Sequence, residues 1–102
     1  MSNESVAPEP TTEVIRNEDA SRYELVVDGE RAGLADYVEL GGDVVEVPHT
    51  EVDPAHGGKG YGGVLVRGVL DDLAARGAKV KPSCPFVESW ITKHPDYEAL
   101  RA

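Results

Sequence analysis

One cysteine, Cys84, is all that the 102-residue chain contains, which rules out an internal disulfide; with His49, His56 and His94 it also makes no zinc-like spacing. No metal is expected, and an unpaired thiol fits a reduced, cytoplasmic setting. Basic side chains are scarce, ten Lys and Arg against nineteen Asp and Glu. The resulting formal charge of −9 speaks against a nucleic-acid partner, since counterion release needs a surface rich in Lys and Arg. Long apolar runs are missing too. Nothing approaches the roughly 20 residues of a membrane helix, and the first residues lack the basic and then apolar blocks of a secretion signal. A soluble protein with no membrane partner is expected. Aromatics are few, and Trp90, Phe86 and Tyr37 read as core.

What is present suffices for one modest core. Residues 1–11, with two prolines and almost nothing to bury, are expected to form a disordered tail ahead of a single domain over 12–102. Charge is uneven: residues 1–53 hold fourteen acidic and three basic side chains, residues 54–102 five acidic and seven basic. The second half is the better place for an anionic ligand, the first for a cationic one.

Period-2 patterning predicts strands over Glu13–Asn17, around Tyr23–Val27, over Ala32–Leu40 and from Asp43 to about Val52, with Asp28-Gly29 and Gly41-Gly42 as turns. In the third, Leu34, Val38 and Leu40 share one parity and Ala35 and Tyr37 the other. In the fourth, Val45, Val47, His49 and Glu51 share a parity, and Pro48, having no N–H, demands an edge or a bulge. Short turns between successive strands make an antiparallel meander. The period then changes: Leu65, Val66, Val69, Leu70 and Leu73 form one face of a helix from Gly60 to Arg76, closed by Gly77. Ala78–Lys81 reads as a fifth strand, Phe86–Lys93 as a short C-terminal helix burying Val87, Trp90 and Ile91, and Asp96–Leu100 as a last turn. The fold class is α+β.

The segment most informative about chemistry runs from Val52 through Gly57-Gly58-Lys59-Gly60-Tyr61-Gly62-Gly63 into that helix. A strand, a glycine-rich turn and a helix N-terminus present unpaired N–H groups and a positive dipole end to an anion. Gly58 to Gly63 fits the dinucleotide pattern GxGxxG letter for letter, but the glycines follow an antiparallel meander instead of the first strand of a parallel unit. A phosphate loop of the nucleotide-hydrolase type is excluded because Gly58-Lys59 is followed by Gly60 where Ser or Thr is needed.

Four antiparallel strands, a glycine-rich turn, a helix, a fifth strand and a further helix resemble the GNAT acyl-CoA transferases. Their pyrophosphate loop has Arg or Gln, two residues, Gly, one residue, then Gly or Ala; here Gly57, Gly60 and Gly62 occupy those places, so the first side chain is missing. His49-Thr50-Glu51-Val52 upstream and Cys84-Pro85-Phe86-Val87 downstream are similar to a compact GNAT-like subgroup lacking the helices between the first two strands. The resemblance covers roughly residues 13–97.

The resemblance implies a GNAT-like fold in which the fourth and fifth strands splay, with acetyl-CoA as acyl donor. Its thioester arm would enter the splay beside the Glu51 and Val52 backbone, and its pyrophosphate would lie on Gly57, Gly58, Lys59, Gly60, Tyr61, Gly62 and Gly63, with Lys59 and Arg67 as charge partners. The acceptor is expected to be an amine, a small molecule or a protein lysine. His49 or Glu51 would accept its proton, Cys84 offers either packing or an acyl relay assisted by His49, and Tyr97 would protonate the departing thiolate. A CoA-binding module without turnover and an adaptor that binds a protein through its acidic first half are the alternatives.

Overall fold

The computed structural model describes residues 10–102. Of the expected tail, residues 1–9 lie outside that range, while Thr11 is tied to the turn at Asp28 in both directions, its N–H donating to Asp28 Oδ1 at 2.9 Å and its carbonyl accepting from Asp28 N at 2.8 Å.

Five strands form one sheet in the order β1-β2-β3-β4-β5: β1 Thr12–Asn17, β2 Arg22–Val27, β3 Glu30–Gly41, β4 Val44–Val52 and β5 Lys79–Lys81. The first four make the antiparallel meander the sequence predicts. The β2–β3 turn uses Asp28 (φ +50°) and Gly29 (φ +83°), the paired positive φ of a tight hairpin. Strand β5 pairs parallel to β4, a geometry that needs a crossover, and helix α1 Tyr61–Ala75 supplies it. Helix α2 Pro85–Lys93 and a 3-10 turn over Pro95–Leu100 follow.

Both helices lie on one face of the sheet. Leu65, Leu70 and Leu73 of α1 are fully buried, as are Leu25, Val47 and Val80 of the sheet and Ile91 of α2. Each such side chain contributes about 1.5–3 kcal/mol by leaving water. Gly68 lets α1 settle onto β1, because a Cβ there would sit 2.6 Å from Val14 Cβ.

On strand β3 the parity of Tyr37, which the sequence reads as core, is the inner one. Ala35 and Tyr37 are buried under the helices, whereas Val38 and Leu40 stand exposed on the open face. Phe86, expected in the core, is 47% exposed.

Candidate functional site

Pro48 breaks the β3–β4 ladder. Asp36 pairs with His49 and Val38 with Glu46, so Tyr37 of β3 alone opposes Val47 and Pro48 of β4, and the extra residue falls at the proline. A bulge of one residue reverses which side chains face which way. Val45 and Val47 therefore point to the helices, as Thr50 and Val52 do after the bulge. His49 and Glu51, which share a parity with the two valines, stand instead on the open face beside Asp36 and Leu34. The shared parity expected of these four residues is thus broken by the bulge.

The same register decides which backbone groups are available. Asp53 N donates to Ala32 O at 2.7 Å, which makes 34/51 and 36/49 hydrogen-bonded pairs. Glu51 and His49 turn their peptide groups toward β3. Thr50 and Val52 turn theirs the other way, where β5 has already left: its pairing ends at Glu46–Lys81, followed only by Cys84 N donating to Val47 O at 3.0 Å. The expected splay of β4 from β5 therefore exposes the backbone of Val52 and the carbonyl of Thr50, whose N–H meets Cys84 Sγ, while the Glu51 peptide faces β3.

Facing this free edge is the first turn of α1. Gly60, its N-cap, has φ +77° and makes no capping bond through a side chain, and no acidic residue lies in the turn. The N–H groups of Tyr61, Gly62 and Gly63 have no intrahelical acceptor and sit at the positive end of the dipole. The glycines themselves answer to the fold. Gly58 (φ +74°) and Gly60 have left-handed backbone, a Cβ on Gly57 would press on Pro54 O at 3.3 Å, and Cβ atoms on Gly62 and Gly63 would meet Phe86 Cζ at 2.8 Å and Trp90 Nε1 at 3.3 Å. What suits this turn to an anion is its unpaired amides, not the number of its glycines.

A cleft of about 220 Å³ lined by Thr50, Glu51, Val52, Gly62, Leu65 and Phe86 joins the free edge to this turn. A larger hollow of about 350 Å³ around Arg16, Glu39 and Arg76 opens at the far end of the sheet. There Arg16 already donates to Tyr23 Oη at 3.0 Å and Glu39 Oε2 at 2.9 Å, so we place no chemistry in it.

The titratable residues divide into groups. His49 Nε2 lies 2.9 Å from Glu51 Oε2, both side chains more than half exposed, and that hydrogen bond raises the imidazole pKa against slight desolvation, with Asp36 adding to it. Cys84 is 6% exposed and is the N-cap of α2. Burial pushes its thiol pKa up, but hydrogen bonds from the Thr50 side chain and the backbone of Val87, Phe86 and Thr50 outweigh it, and the net direction is down. Its side-chain partner is Thr50 Oγ1 at 3.5 Å, not His49, which is bonded to Glu51. His49 assistance to the thiol is replaced here by the end of a helix.

Tyr97 is held elsewhere. Its hydroxyl donates to Asp71 Oδ1 at 2.9 Å and accepts from Arg67 at 3.2 Å; Asp71 lies nine residues beyond Gly62, about 14 Å along the helix. Burial, then the bond to Asp71, raises its pKa. Arg67 lies over the rings of Trp90 and Tyr97 at 5.3 and 5.7 Å, while Lys59 is exposed in the glycine loop. Thr50 and Phe86 line the cleft, although the sequence placed them only within motifs and, for Phe86, in the core; the signal for Thr50 was the proline two residues earlier. Among the described residues no cluster of His, Cys, Asp and Glu could hold a metal, and no helix is long and apolar enough to cross a membrane.

A family model described as GCN5-related N-acetyl-transferase matches residues 22–100. No curated protein matches the chain. Among solved structures, the NMR solution structure of a GCN5-like protein from Staphylococcus aureus aligns with TM-score 0.67 and 21% identity over 88% of this chain and 87% of that one. N-acetylglutamate synthase from Neisseria gonorrhoeae, crystallised with coenzyme A and N-acetyl-glutamate, aligns with TM-score 0.56 and 18% identity over 79% of this chain but only 22% of its own length. Both likenesses show the fold. Since the family model spans the sheet from β2 onward, both helices and the glycine loop, the chain belongs to the GCN5-related N-acetyl-transferase family.

Proposed function

We propose that the protein transfers an acetyl group from acetyl-CoA to an amine, with the two substrates meeting at the free edge of β4 from opposite sides of the sheet. The carrying observation is that edge: Thr50 and Val52 carry backbone groups with no strand partner, above a cleft that leads to the uncapped turn of α1. Acetyl-CoA fits this arrangement. The amides of residues 58–63 receive the pyrophosphate, the cleft takes the pantetheine arm, and the Val52 N–H polarises the thioester carbonyl. The acyl donor supplies an activated carbonyl carbon; what remains for the protein is to orient it and manage one proton.

That proton belongs to His49 and Glu51. Standing on the open face beside the splay, they meet an acceptor ammonium arriving from the side opposite the helices; neutral His49 takes its proton, and Glu51 fixes the ring and stabilises the imidazolium. The amine nitrogen then attacks the thioester carbon and the CoA thiolate leaves. Tyr97, engaged by Asp71 and Arg67, is not assigned the departing proton. Calorimetric titration with CoA and acetyl-CoA, followed by steady-state CoA release with small amines and lysine peptides, tests the reading. Binding without release with any amine would leave a CoA-binding module, and no binding at all would leave the adaptor.

A second mechanism has one observation behind it, the lowered pKa of Cys84 at the N-terminus of α2. In a relay the Sγ thiolate attacks the thioester carbon, expels CoA thiolate and later yields its acetyl group to the amine. Burial of Cys84 behind Thr50 favours direct transfer.

A further inference from the structure

Helix α2 lays two aromatic side chains, Phe86 and Trp90, one turn apart against the first turn of α1, and they meet it differently. Phe86 presents carbon to Gly62, while Trp90 presents its indole nitrogen to Gly63, with Nε1 3.3 Å from the place a Cβ would occupy. A helical Cβ leans toward the N-terminus of its helix, so Nε1 lies beside the free amides of that turn, not behind them. Trp90 is 8% exposed, yet none of the hydrogen bonds among the described residues takes its N–H. An indole packed this deeply normally finds an acceptor; here the nitrogen itself reaches only solvent, Arg16 Nε being the one sealed side-chain N or O without a partner among the described residues. The ring cannot turn away to find one, because His94 stacks on it at 3.8 Å and 12°, Tyr97 packs edge-on at 4.9 Å and Arg67 covers it at 5.3 Å.

We propose that the Trp90 indole N–H is a fourth donor at the α1 N-terminus, joining the amides of Tyr61, Gly62 and Gly63 in holding the CoA pyrophosphate, and that Gly63 is required so that the indole can reach it. The proposal rests on the reading of the site as a CoA site. Trp90 is thereby a positioning residue: it fixes the phosphate end of the donor and touches no reacting atom. An indole N–H bound to a phosphate oxygen is a charge-assisted hydrogen bond, worth about tenfold in affinity.

Trp90 is the only tryptophan in the chain, so its single indole resonance is unambiguous in a 1H–15N spectrum. Titration of the intact protein with CoA is expected to move that resonance downfield together with the amides of residues 61–63. Inorganic pyrophosphate should move the same signals, and pantetheine, which has no phosphate, should leave the indole in place. Trp90→Phe, which keeps a ring but not the N–H, is expected to bind CoA about tenfold more weakly and pantetheine equally well. An indole signal that stays still while the amides of 61–63 shift would overturn the role of Trp90 and leave the CoA site standing. Amides that do not move at all would overturn the site and this proposal with it.

Discussion

His49 and Glu51 are joined at 2.9 Å across one intervening residue of β4, on the face of the sheet that no helix covers. The bond stabilises the protonated imidazole and raises its pKa, so His49 acts as a base above that raised value. The pH profile of kcat/KM for acetyl transfer is expected to rise through a midpoint above the ordinary histidine value of about 6.5. In Glu51→Gln that midpoint should fall, and in His49→Ala the limb should vanish. The same raised pKa favours the fold at low pH, fully below the unfolded histidine value and no longer once pH passes the folded one. A midpoint unmoved in Glu51→Gln would show that another group governs the profile.

Gly62 and Phe86 test whether the glycine is there for packing or for the anion. Gly62→Ala forces the Phe86 ring to give way, but the contact is with the tip of a half-exposed side chain and alanine is the better helix former, so thermal or denaturant unfolding is expected to change by no more than about 1 kcal/mol. Adding Phe86→Ala removes the contact. CoA affinity, measured by calorimetry on the folded double variant, is expected to survive, because the amide of residue 62 remains. By contrast, Gly60→Asp brings a negative charge to the turn and should abolish binding.

Lys59 is exposed beside the turn and has no ion-pair partner among the described residues, whereas Arg67 is committed to Tyr97 and the Trp90 ring. Lys59→Ala should weaken CoA binding by about fivefold at low salt, on the order of 1 kcal/mol, and the difference should close at high salt. Arg67→Ala should show a smaller salt dependence. The reverse order in a salt titration would assign the phosphate contact to Arg67.

Cys84 separates the two chemistries. Its lowered pKa should appear as alkylation by iodoacetamide with a midpoint below the usual thiol range, moving upward in Thr50→Val as one hydrogen bond to sulfur is lost. Direct transfer further requires that acetyl-CoA without acceptor leaves no hydroxylamine-sensitive acetyl group on Cys84 in intact-mass spectra. Cys84→Ser should then keep turnover within about tenfold. A rapidly formed adduct would establish the relay instead.

The meander, the crossover helix and the glycine turn were legible because each is written in local pattern: period 2, period 3.6 and clustered glycines. The faces of the strands were not. Pro48 announced a broken ladder, but the direction in which His49 and Glu51 point depends on which strand carries the extra residue, and that is settled by pairing with Asp36 and Val38 far away in sequence. On β3 the inner face was legible only at Tyr37, read as core and buried; the parities of Ala35 and Leu40 alone did not say which side α1 would cover. Likewise, no spacing told that Tyr97 would be tied to Asp71, twenty-six residues earlier.

The reversal at Pro48 also bears on the order of events during turnover. With the donor's phosphate end on the helix side and the acceptor's proton handled on the open side, neither substrate lies across the other's path. Under the proposed chemistry either can bind first, and spent CoA can depart while the acetylated amine is still in place. Initial-rate kinetics would then carry the signature of a random ternary complex, a freedom that one extra residue in β4 confers by turning His49 and Glu51 away from the helices.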